Sequence, residues 1–140
     1  MCYSLYLSTN SDANLAQYNS ELIRFGPLGE RDYAYADLLA YPNRWYVGSK
    51  SVCSCAFRHA EETLGFGAPE DWFEEEDDDI AATKELYTVI KTLMSSGHKV
   101  DCVDTWEGVC PTQINFLEIQ LADVPADAFR LFENYRFTFQ

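Results

Sequence analysis

The chain has 140 residues, 47% of them hydrophobic, with 9 Phe, 9 Tyr and 3 Trp. That is the size of one domain able to bury its own core, and the composition excludes disordered and fibrous chains. The formal net charge is −13 with no Lys/Arg cluster, which excludes direct binding to nucleic-acid phosphates, and no apolar run approaches the ~20 residues of a membrane span.

The charge is concentrated. Segment 70–79, EDWFEEEDDD, carries 8 of the 23 acidic residues, so the remainder is only mildly acidic. The start, MCYSLYLSTNSD, lacks a basic region and interrupts its apolar residues with Ser and Tyr, unlike a secretory signal. Without such a signal the five cysteines fit free thiols in a reducing compartment, and the expected location is cytoplasmic.

In chain order, residues 2–9 alternate, with Tyr3, Leu5 and Leu7 on one face, and predict a strand. The caps at Asn10, Ser11 and Asp12, followed by Leu15, Tyr18, Leu22 and Phe25 at helical spacing, predict a helix that Gly26-Pro27 ends. Tyr41-Pro42-Asn43 predicts a turn before a short strand over RWYVG (44–48). The clearest helix spans 80–96, with Ala82, Leu86, Ile90, Leu93 and Met94 as its apolar stripe, Asp77–Asp79 at its N-terminus and Gly97 closing it. Strands follow at 98–106 and 115–121, and the short link from Glu107 to Gln113 predicts an antiparallel hairpin.

Pro125 predicts the first turn of a short helix carrying Phe129 and Phe132, and Tyr135, Phe137 and Phe139 alternate in a last strand. The expected architecture is a single α+β domain over residues 1–140 with an acidic loop at 70–79. Its mainly antiparallel sheet has about five strands with three helices, and the βαββαβ order of the second half resembles a ferredoxin-like arrangement.

Chemistry-bearing residues crowd into WYVGSKSVCSCAFRH, residues 45–59. Cys53, Cys55 and His59 are ligand types that suit zinc, with Cys2, Cys102 or Cys110 available as a fourth. Structural zinc draws on C-x2–4-C pairs, however, and no second closely spaced pair exists. The expectation is therefore no metal and no cofactor. If a helix starts near Ser54, Cys53 or Cys55 lies at its positive end near Arg58 and His59, which would lower a thiol pKa.

Cys53, Cys55 and His59 are thus the candidate catalytic residues. The phosphatase count fails by one, since Arg58 comes five positions after Cys53 rather than six. Ser49, Lys50, Ser51 and Arg58 form a candidate anion site, although position 44, where a P-loop needs its first glycine, is Arg44. Cys2 as an amide-hydrolysing N-terminal nucleophile requires removal of Met1 and a larger fold than this length suits.

The acidic run reads first as a solvated loop capping the helix that follows. Trp72, Phe73, Glu74, Glu75 and Glu76 also combine aromatic area with charge suited to a basic protein surface, whereas the consecutive carboxylates do not match an EF-hand. Two functions follow. The first is a non-enzymatic acidic interaction module, of inhibitor or immunity type, for a basic protein partner. The alternative is a small enzyme or anion- and ligand-binding protein with its site in loop 48–59. The lack of a complete catalytic set favours the first.

Overall fold

The computed structural model describes residues 2–60 and 75–140. One six-stranded mixed sheet organises the chain, in the order β2-β3-β1-β5-β8-β6. Its strands are β1 (Tyr3–Thr9), β2 (Ile23–Gly26), β3 (Asn43–Ser49), β5 (Val100–Trp106), β6 (Asn115–Ile119) and β8 (Tyr135–Phe139). A separate parallel pair joins β4 (His59–Ala60) to β7 (Leu131–Phe132).

Two α-helices are present among the described residues, the single turn α1 (Tyr33–Ala36) and the long α2 (Asp77–Ser95). In α2, Ala82, Leu86, Val89, Ile90 and Leu93 recur every three or four residues and are buried. They pack on the sheet face made by Leu5, Leu7, Val47, Cys102 and Phe137. Each large apolar side chain in that layer contributes about 1.5–3 kcal/mol of burial. Asp77, Asp78 and Asp79 occupy the first turn, where the helix dipole favours anions. Gly97, at φ +87°, closes the other end, with its N–H bonded to Met94 O and that of His98 to Leu93 O. The opposite sheet face carries a smaller cluster in which Tyr6 and Val103 meet Ala36 and Leu39. No helix among the described residues is long and apolar enough to cross a membrane.

Several expectations change. The helix expected from residue 10 to 25 is one 3₁₀ turn, Leu15–Tyr18, followed by β2. Asn19 stops it: its Oδ1 accepts the Phe25 N–H at 2.7 Å, and the Ser20 N–H bonds Ile23 O, turning the chain back into a strand. Ile23 and Phe25 are buried while Arg24 is exposed, a period of two within apolar spacing that mimics a helix.

The helix expected at Pro125 is likewise only a turn, with the Ala128 and Phe129 N–H groups both on Pro125 O, before β7. The expected 106–115 hairpin does not form. Instead β8 lies between β5 and β6, antiparallel to the first and parallel to the second. Burial explains the exchange: β6 exposes Asn115, Phe116 and Glu118 and suits an edge, whereas β8 buries Phe137 and Phe139. The ferredoxin-like second half, the five strands and the three helices therefore give way to a six-stranded mixed sheet and, among the described residues, two α-helices. No helix begins at Ser54; Lys50–Arg58 is a loop joining β3 to β4.

Candidate functional site

The loop after β3 begins with a tight turn. Ser49 O accepts the Val52 N–H, and the Ser49 N–H bonds Cys53 O at 2.8 Å. Closing it places Val52 at φ +75°, a left-handed conformation in which a β-branched residue is strained, with the side chain 78% exposed. Gly48 is required beneath it, because a Cβ there would lie 2.6 Å from Val52 O. Val52→Gly is expected to raise the unfolding free energy by about 1 kcal/mol, read as a higher urea midpoint, because the strain at this position exceeds the entropy that glycine adds to the unfolded chain.

Residues 54 and 55 then substitute for a strand. The β1–β3 ladder stops at Tyr6 opposite Tyr46, whereas the β1–β5 ladder continues to Tyr3 opposite Trp106. The outward amides of Tyr3 and Leu5 therefore lack a strand partner. Ser54 Oγ accepts the Leu5 N–H at 2.9 Å and donates to Val47 O at 2.6 Å, bridging the split. Cys55 Sγ accepts the Tyr3 N–H at 3.3 Å.

This wedge carries the thiols to the end of β1. Cys2, Cys53 and Cys55 place their sulfurs within 4.8 Å of one another, although the first is 51 positions from the second. Reciprocal bonds fix Cys2 to the turn that follows β5: its N–H donates to Glu107 Oε2 and its carbonyl accepts the Glu107 N–H. A cleft of about 800 Å³ opens beside Cys2, with Tyr6, Tyr35 and Tyr46 among its walls.

Cys53 and Cys55 do not ionise alike. Desolvation pushes Cys53 up, but hydrogen bonds from Ser51, from Cys55 and from Cys2 together outweigh it and hold the thiol down at about 7. Cys55 is pushed up to about 12 by desolvation and then by Cys53. Of the two, Cys53 is therefore the first to ionise. Ser51 Oγ lies 3.5 Å from Cys53 Sγ. Ser51→Ala is expected to raise the Cys53 pKa and slow its iodoacetamide alkylation at neutral pH by about threefold, measured as the pH dependence of the rate.

His59 sits nearby but does not serve the thiols. Its Nδ1 is 2.7 Å from Asp104 Oδ2 and its Nε2 is 2.6 Å from Ser54 O. The ring stacks on Tyr3 with centroids 3.7 Å apart, and Tyr3 Oη donates to Glu133. A carbonyl only accepts, so Nε2 carries a proton and the remaining one lies between Nδ1 and Asp104. Neither ring nitrogen is left to act as base for Cys53 or Cys55 or to bind a metal. The imidazole instead pins the Ser54 carbonyl between the two cysteines.

The expected anion-site residues do not converge. The Ser49 hydroxyl donates to Cys53 O and Lys50 Nζ pairs with Glu76 and Asp78. The Arg58 side chain is 1% exposed and bound to Glu75, Asp127 O and Phe129 O. Of the expected partner-binding residues, Trp72, Phe73 and Glu74 lie outside the described residues. Glu75 is tied to Arg58 and Arg130, and Glu76 is exposed.

Cys102 is buried in the core and Cys110 is exposed beside Thr112, so only Cys2 joins the pair. Asp104 was not singled out from sequence; its signal was a carboxylate two positions after Cys102, on the inward face of a strand. No family model, curated protein or solved structure matches the chain.

Proposed function

We propose that the protein binds a soft metal ion through the thiolates of Cys2, Cys53 and Cys55. The observation that carries this reading is the meeting of three sulfurs within 4.8 Å at the chain surface, none of them in a disulfide. Bonds of about 2.3 Å to one ion set thiolate sulfurs about 4 Å apart, so the cluster closes on a metal with side-chain adjustment alone. A thiol held at about 7 lowers the cost of the first deprotonation that binding requires. Thiolates select soft ions over magnesium or calcium.

The test is titration of the reduced protein with Cd²⁺, a spectroscopic soft-ion probe. The expected result is a sulfur-to-metal charge-transfer band saturating at one ion per chain, with Cys2, Cys53 and Cys55 protected from iodoacetamide and Cys110 unprotected. Equal alkylation of every thiol with and without Cd²⁺ rejects the reading.

A second reading, the acidic module for a basic protein partner, is favoured by the exposure of Glu76, Asp77 and Asp78 at the start of α2. Lys50 offsets part of that charge. Neutralising these three carboxylates is expected to slow association with such a partner and flatten its salt dependence; unchanged kinetics remove the idea.

A further inference from the structure

We infer that the ion this cluster takes is monovalent copper, held by three thiolates with no fourth histidine, cysteine or carboxylate donor among the described residues. The inference rests on the soft-metal reading above and adds the identity of the ion. The argument is one of donor count. Among the described residues, no further histidine, cysteine or carboxylate atom joins the three sulfurs within the same 4.8 Å limit.

The neighbours that could have done so are committed elsewhere. His59 has Nδ1 on Asp104 and Nε2 on Ser54 O, and its side chain is 3% exposed. Glu107, the carboxylate next to Cys2, holds the Cys2 backbone N–H at 3.1 Å and lies outside the mutual sulfur group. Cys102 is fully buried in the core, on the strand that pairs with β1.

Structural Zn²⁺ is closed by four protein ligands, and three-ligand zinc completes its shell with water. Cu⁺ is softer and binds thiolate sets through sulfur alone. Spacing does not separate the two ions, since trigonal and tetrahedral thiolates at about 2.3 Å place sulfurs about 4.0 and 3.8 Å apart. The number and softness of the donors do. The charge placed on the sulfurs meets local donors: the Tyr3 N–H reaches Cys55 Sγ, and Ser51 Oγ lies beside Cys53 Sγ. Binding forms three Cu–S bonds, releases to solvent the protons the thiols still hold and leaves copper in the +1 state in which it arrives.

The experiment is anaerobic competition on the reduced full chain. Cu⁺ is presented with bathocuproine disulfonate, one equivalent of Zn²⁺ is added afterwards, and X-ray absorption is recorded on the copper-loaded protein. The expected result is one Cu⁺ per chain, a first shell of three sulfurs without nitrogen or oxygen, and no displacement by Zn²⁺. Cys2→Ser, Cys53→Ser and Cys55→Ser, each checked for folding by circular dichroism, are expected to weaken Cu⁺ binding by at least about tenfold, with Cys110→Ser unchanged. Displacement by Zn²⁺, or an oxygen or nitrogen in the copper shell, overturns the copper assignment and leaves the thiolate reading in place. Failure of Cd²⁺, Zn²⁺ and Cu⁺ alike to bind a fully reduced, folded chain overturns both.

Discussion

Asp104→Ala is expected to lower the unfolding free energy by about 3–5 kcal/mol, the usual cost of removing one partner from a buried ion pair. Asp104 is 0% exposed, and its carboxylate meets a His59 side chain that is itself 3% exposed. Desolvation favours the neutral imidazole, but the carboxylate outweighs it and holds the His59 pKa above its ordinary value. Burial raises the Asp104 pKa, with His59 opposing. Alanine removes the counter-charge, leaves Nδ1 facing a void and loosens the ring that stacks on Tyr3 and holds Ser54 O. Asp104→Asn is the informative contrast. Its amide can donate to a neutral Nδ1, so the loss should shrink to about 1–2 kcal/mol.

The sign of the pH effect follows from the upward His59 shift. Unfolded histidine releases its proton near ~6.5, while the folded pair retains it to higher pH. The contribution of the pair is therefore complete below that value and fades as pH rises through the folded pKa. The raised Asp104 pKa acts in the same sense. The stability gap between wild type and Asp104→Ala should narrow with increasing pH, measured by urea denaturation across the neutral and alkaline range. A gap that widens rejects the charged pair.

Periodicity made the long elements legible. The α2 stripe from Ala82 to Leu93 and the alternation of β1 and β8 each depend only on local spacing. What escaped was non-local. The position of β8 between β5 and β6 is decided by which strand buries Phe137, a comparison of burial between segments that a link length cannot convey. At 15–25, four apolar residues fit a helix and a turn-plus-strand equally, and the Asn19 side chain broke the tie.

The candidate site was half visible for the same reason. C-x-C spacing departs from the C-x2–4-C pairs of structural zinc, and the sequence offers no second pair. Cys53 and Cys55 are in a loop, not a strand, and their third partner comes from the other end of the fold. Nothing in the spacing predicts that β3 parts from β1 after Tyr46 and leaves a gap for that loop.

Ser54 controls that gap, and Ser54→Ala is expected to cost about 2–4 kcal/mol, from two buried backbone groups left without partners at about 1–3 kcal/mol each. The hydroxyl is fully buried, accepting from Leu5 N and donating to Val47 O, so deletion strands a donor on β1 and an acceptor on β3. The two cysteines flanking it lose the anchor that brings them to Cys2, and the affinity for Cd²⁺ should fall by about tenfold.

Ser51→Ala provides the control, since its exposed hydroxyl touches Cys53 and Ser49 but bridges no strands, and its stability should stay within about 0.5 kcal/mol of wild type. Hydrogen exchange at the Leu5 amide reads the effect directly: protection should drop in Ser54→Ala and persist in Ser51→Ala. If the Leu5 amide stays protected in Ser54→Ala and the stability loss is under about 1 kcal/mol, a water has taken over the bridge. The placement of Cys53 and Cys55 would then depend on His59 and the Ser49–Cys53 turn instead.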